Sequence, residues 1–196
     1  MSNAHLIVPI AALVLGLVVA GAAAAVSLPA VERAATIRFG VGTERWKLAT
    51  AGYVRGNGLV GSRRFKVNEQ HGCPQGPGTA SIVDTYRNGQ RVAWRAVGGD
   101  GRLQIIDVAT TRTGDRTGEG FAVGTSRIAD VRRRHPTAAV LHPVGVLALG
   151  SILVSITRVT GYNSWIDLGY WFDARGRLVA LEVDAGGCPL TLTKGP

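Results

Sequence analysis

Apolar and polar positions change period along this chain, and the changes mark its elements. After Thr125, Ile128, Val131 and His135 recur at i, i+3 and i+7, which is one face of a helix. Arg132, Arg133 and Arg134 crowd its last turn, where cations complement the helix dipole, and Pro136 stops it. Trp46, Ala49 and Tyr53, with Leu48 beside them, predict a similar short helix after Thr43, ended by Gly52 and Gly56. Thr43 and Thr125 stand where an N-cap hydroxyl would accept the first free backbone N–H groups.

Other stretches read as strands. Ser81–Tyr86 leads through Arg87-Asn88-Gly89 into Gln90–Val97, and Asn-Gly is the strongest short hairpin signal. Gly98–Gly101 turns the chain again into Leu103–Val108. Ser151–Val159 is β-branched, and Leu168–Phe172 leads through Asp173-Ala174-Arg175-Gly176 into Arg177–Val183. Ala138–Ile156 is nearly free of charge. Pro143, Gly145, Gly150 and the alternating Ile152, Val154 and Ile156 predict two buried strands and a turn there, not a membrane span.

Two landmarks recur in the same order. Phe39-Gly40-Val41-Gly42-Thr43 returns as Phe121-Ala122-Val123-Gly124-Thr125, a shift of 82, and Gly89–Trp94 is answered by Gly176–Leu181, a shift of 87. A repeat at near-constant spacing predicts two copies of one structural unit. The predicted fold class is therefore α+β, two tandem helix-plus-antiparallel-sheet repeats after an N-terminal signal segment, with boundaries at 1–30, 31–110 and 111–196. Thr111–Gly120 is the candidate linker between the copies.

Leu6–Val26 is an uncharged apolar run of 21 residues that ends in an alanine tract with small-residue cleavage positions, the pattern of a secretory signal peptide. Met1–His5 contains no Lys or Arg, and the run is long enough to span a bilayer, so an uncleaved anchor stays open. Cys73 and Cys188 are the only two cysteines. In an exported chain an even count reads as a disulfide; in a cytosolic one both would be free thiols. Export therefore predicts a Cys73–Cys188 bridge and a home that is secreted or in the cell envelope.

Charge changes the picture of partners. Lys and Arg number 22 against 13 Asp and Glu, a net +9, and none of these residues precedes Val31. A positive field attracts polyanions; outside a cell those are lipid head groups and anionic envelope polymers, not nucleic acid. Arg63, Arg64 and Lys66 around Phe65, together with Arg132, Arg133 and Arg134, form a possible anion-binding patch. The plainer account is a solvated surface that keeps a small domain soluble.

Catalytic signatures are sparse. Gly56-Asn57-Gly58-Leu59-Val60-Gly61 spells G-x-G-x-x-G, but a dinucleotide site needs a strand before it and a helix after it. A glycine-rich surface loop is the expectation. His71 lies near Cys73, yet a bridged cysteine is no nucleophile. The four histidines, His5, His71, His135 and His142, show no metal-ligand spacing, and neither G-x-S-x-G nor S-x-x-K occurs. No catalytic, metal or cofactor-binding residue is assigned, and no cofactor is expected.

With helix and hairpins in register, the second copy resembles a known pattern. Gly120 to Arg132, then His135-Pro136, then Tyr170 to Val179 is similar to a motif of small exported actinobacterial proteins. It also resembles the repeat of the β-lactamase inhibitor protein and of the SmpA/OmlA (BamE-like) outer-membrane assembly lipoproteins. The resemblance covers Gly120–Val183 well and Ile37–Val108 weakly. It implies helix-plus-sheet modules that bind proteins and do not catalyse. The chain lacks the lipid-attachment cysteine of the lipoproteins, and no interface residue is carried over. The sequence thus predicts an exported, non-enzymatic binding protein whose partner is a protein or an anionic envelope polymer. Membrane contact would come only through the N-terminal segment. The alternatives are a small secreted hydrolase using His71 or His142, and a basic domain adhering to anionic polymers.

Overall fold

A computed structural model of the chain describes residues 33–66, 80–96, 101–141, 152–161 and 164–185. Its frame is one eight-stranded antiparallel sheet. The strands are β2 (Leu59–Lys66), β3 (Ala80–Tyr86), β4 (Gln90–Ala96), β5 (Leu103–Thr110), β7 (Ala139–Leu141), β8 (Ile152–Gly161), β9 (Ser164–Phe172) and β10 (Leu178–Ala185). Their spatial order is β2-β3-β4-β5-β10-β9-β8-β7. Two four-stranded meanders therefore meet through their last strands, with Val183 opposite Val108 and Asp184 opposite Asp107. Two short strands, β1 (Thr36–Ile37) and β6 (Arg116–Thr117), pair in parallel outside this sheet. The one helix among the described residues, α1 (Ile128–Arg134), packs at β8.

Strand pairing assigns the two faces of the sheet. Ile82, Tyr86, Val92, Trp94, Val108, Leu181, Val183, Leu168, Tyr170 and Val154 lie on one face and form the main core. Trp46 and Tyr53 cover its β3–β4 half in an aromatic layer, with ring centroids 4.9 Å from Tyr86 and 5.2 Å from Trp94 respectively. Phe121, His135 and buried Val131 of α1 cover the other half, Phe121 edge-on to Tyr170 at 5.8 Å. Trp94, Trp171, Tyr170 and Phe172 are among the largest fully buried side chains, and burying their apolar area stabilises the fold.

The predicted α+β class of two helix-plus-sheet repeats is wrong: the described residues are 54% strand and 6% helical. The helix expected after Thr43 does not form. Thr43 Oγ1 does accept a hydrogen bond from Trp46 N at 3.0 Å, but the backbone then takes positive φ at Ala49 (61°) and Gly52 (92°). Its donors go to a strand, Ala49 N to Ile105 O at 2.8 Å and Gly52 N to Leu103 O at 2.9 Å. Strand β10 faces β5 only from Asp107 to Thr110, so the start of β5 has a vacant edge, and Ala51 bridges it at Gln104. Long-range bonds to that edge outcompete a helix too short to be stable alone. Trp46 and Tyr53 are packed inward as the periodicity implied, on an irregular segment.

The second expected helix is present, with a different cap. Arg127, not Thr125, is its N-cap, and Arg127 N donates to Asp130 Oδ2 at 3.3 Å. The repeated Phe-x-Val-Gly-Thr shares a backbone requirement more than a role. Gly42 and Gly124 both sit at positive φ, 99° and 90°. Thr43 is buried and Thr125 exposed, while Val41 is exposed and Val123 buried. Gly56–Gly61 runs into β2 where a surface loop was expected. The linker candidate Thr111–Gly120 is also structured. It carries β6 and buried Asp115, whose carboxylate accepts from Ala35 N at 2.8 Å and Thr110 Oγ1 at 2.6 Å.

Candidate binding cleft

Residues in and just after β1 and β6 face the middle of β8 and β9 across a cleft of about 430 Å3. Its floor is apolar. Ile37 is buried because β1 alternates it inward towards β10, and Leu168 is buried on the core face of β9. Half-buried Phe39 and Ile156 complete it. Thr117, Gly118 and Glu119, in and after β6, form one wall, and His135, at the end of α1, forms another. Exposed Arg38 and Arg158 stand at the mouth. The Arg158 guanidinium lies 4.9 Å from the Phe39 ring centroid, a cation–π contact that orients it over the floor. A second cavity of about 210 Å3 adjoins the first across His135, Ile156 and Thr157.

One acid lines this cleft, Glu119, and it is engaged. His135 Nε2 lies 2.6 Å from Glu119 Oε2, and Arg134 Nε lies 3.7 Å from Oε1. The His135 ring packs 6.2 Å from both Phe121 and Tyr170. Burial, and then the nearby Glu119 charge, push the Tyr170 hydroxyl well above its ordinary pKa. That phenol stays neutral at any physiological pH.

The other face of the sheet carries a buried polar row. Asp107, Asp184 and Asp167 lie directly opposite one another across β5, β10 and β9, and Asp107 and Asp184 are fully buried. Burial followed by the Asp184 and Asp107 charges acts on Arg95, and burial followed by the Glu182 charge acts on Arg91. The arginines thus sit among the carboxylates they balance. Glu182 also accepts from Trp171 Nε1 at 2.8 Å. Burial raises the Asp167 carboxyl above the ordinary carboxylate range, with a Thr157 hydrogen bond opposing. Among the described residues, no group of three or more His, Cys, Asp or Glu is arranged to hold a metal ion. No helix of the described residues is long and apolar enough to cross a membrane.

The residues singled out from sequence are dispersed. Arg63 and Arg64 are exposed on β2, which Lys66 ends, at one edge of the sheet. Arg132, Arg133 and Arg134 are exposed on α1, against β8. Strands β2 and β8 stand six positions apart in the sheet order, roughly 30 Å along the sheet, so the two basic clusters do not converge. Arg133 pairs with Asp130 at 3.7 Å. Cys73, Cys188, His71 and His142 lie outside the described residues. Sequence reasoning gave no site role to Arg38, Phe39, Glu119 or Arg158, which come from three separate segments and share no motif. His135 entered the sequence reading on the helix face and in the resemblance, with no site role. No protein-family model, no curated protein and no solved structure matches this chain.

Proposed function

We propose that the protein is an exported, non-enzymatic binding protein of the cell envelope or extracellular space, and that its ligand site is the cleft beneath β1 and β6. The observation that carries this reading is the cleft itself: about 430 Å3 of apolar-floored space with polar groups gathered at its rim. Ligand pockets fall in the range of about 300–1,000 Å3, with this distribution of lining groups. Export rests on the apolar, alanine-ended Leu6–Val26 and on the paired cysteine count.

The hydrolase alternative has one observation in its favour, the His135–Glu119 pair at 2.6 Å, since a carboxylate can orient a histidine as a general base. Among the described residues no Ser, Thr or Cys side chain is hydrogen-bonded to His135, so the pair lacks an activated nucleophile. We read it as a wall of the binding cleft.

A neutral dye that brightens in apolar surroundings, Nile red, tests the reading on the full chain. Saturable brightening is expected, and Ile156→Trp, which fills the cleft from a half-buried position, should abolish it without lowering the unfolding midpoint. Brightening that Ile156→Trp leaves intact would place the dye elsewhere and remove the cleft from the argument. Turnover of p-nitrophenyl esters that disappears in His135→Ala would decide for the hydrolase.

A further inference from the structure

The cleft's charges do not cancel. Glu119 is its one acid, and His135 and Arg134 already engage it. No carboxylate among the described residues comes within ion-pair distance of Arg38 or Arg158. Both arginines line the same cleft, and Arg158 stacks on the ring of Phe39. Two uncompensated guanidinium groups therefore share one rim, and immediately behind them lies an apolar floor of Ile37, Phe39, Ile156 and Leu168.

A ligand complementary to this arrangement has two parts. An anionic head, carboxylate or phosphate, matches the planar donors of arginine, which bind either group bidentately. An apolar body covers the floor and is driven there by burial. Neither part suffices alone. A small hydrophilic anion leaves the floor wet, and a neutral hydrocarbon leaves the two cations unanswered while desolvating them. We propose, resting on the reading of the cleft as the ligand site, that it binds an amphipathic anion with one acid head. The acid head lies between Arg38 and Arg158, and a single aliphatic chain lies over Phe39 onto Ile37, Ile156 and Leu168. The adjoining cavity behind His135, lined by Ala138, Ala139 and Ser155, gives a longer chain room to extend.

Titration calorimetry of the full chain with four probes below their micelle concentrations tests this: dodecanoate, dodecyl phosphate, dodecanol and acetate. Dodecanoate should bind at least about tenfold more tightly than dodecanol, and acetate should show no measurable heat. The double variant R38A/R158A, altered only at exposed side chains, should lose the preference for the acid and bind dodecanoate no more tightly than dodecanol. Tighter binding of dodecyl phosphate than of dodecanoate would point to phospholipid-derived ligands, and the reverse to free fatty acids; either supports the proposal. Equal binding of dodecanol and dodecanoate, or an acid preference that survives R38A/R158A, overturns the anionic head while leaving the cleft as a site for neutral ligands. Failure of all three dodecyl probes, with Nile red still displaced from the parent by none of them, overturns the ligand class alone. Loss of Nile red binding as well overturns the cleft.

Discussion

At the residue scale, the polar groups inside this molecule are placed by strand register, and two aspartates show opposite consequences. Asp173 lies half-buried in the β9–β10 turn, where its Oδ1 accepts from Arg177 N at 2.8 Å and Arg175 N at 2.9 Å. Those bonds, the Arg177 one first, hold its carboxyl below the usual range. Its stabilisation is present above the ordinary carboxylate pKa and is lost as pH falls through the lowered one. Asp167 is the reverse case. Burial raises it, so the folded state carries a cost once pH rises through the raised value, and none below the unfolded value of 3.8. Asp167→Asn should therefore raise the urea midpoint at pH 7, and the gain should vanish as pH approaches 3. A variant less stable than the parent at pH 7 would show instead that the carboxylate is needed for the Thr157 hydrogen bond.

At the element scale, turns decide where the chain can go, and glycine decides which turns are possible. Gly42 stands at φ 99°, and a Cβ there would collide with the Trp46 carbonyl oxygen, a backbone atom. Gly101 also has positive φ, 67°, but a Cβ there meets nothing within 4 Å. Gly101→Ala should cost only the left-handed backbone penalty, roughly 1–2 kcal/mol. Gly42→Ala adds a displaced Trp46 and should cost roughly 3 kcal/mol or more. Denaturant melts of the two variants make the comparison, and equal losses would contradict the contact. The same logic explains which elements could be read from sequence. Asn88-Gly89 and Asp173–Gly176 are local hairpin signals, and both hairpins are present at β3–β4 and β9–β10. Ile128, Val131 and His135 mark by their period a helix whose start agrees with its distant partners, Ile128 N donating to Gly176 O at 3.0 Å. Trp46, Ala49 and Tyr53 show that period too, but the bonds that settle their backbone come from Leu103 and Ile105, more than 50 residues on.

At the scale of the molecule, one continuous sheet joins the two halves, and its middle is its most supported part. Strands β5 and β10 have neighbours on both sides, whereas β2 and three-residue β7 are edges. Hydrogen exchange should be slowest at Val108, Ala109, Leu181 and Glu182 and fastest along Leu59–Arg64 and Ala139–Leu141. Slow exchange at β2 matching that of β5 would mean that the edge is covered in solution. The sheet also accounts for the limits of the repeat. The meanders mirror each other about the β5–β10 pair, which equates β4 with β9. The sequence landmarks equate β4 with β10, one strand out of step, because they record similar hairpin turns.

Properties that depend on neighbours in sequence were legible in the sequence alone: the net charge, the apolar N-terminal run, most strand-forming stretches, the hairpin turns and helix α1. Properties that depend on which strand edge is vacant were settled only in three dimensions. The segment after Thr43 became irregular because β5 offered it hydrogen bonds beyond the end of β10. The basic clusters were separated because β2 and β8 fall at different places in the sheet order. The cleft was assembled from Arg38, Glu119, His135 and Arg158, residues whose spacing carries no pattern. Local periodicity encodes what each segment prefers, and competition between segments for the same backbone partners decides what each one does.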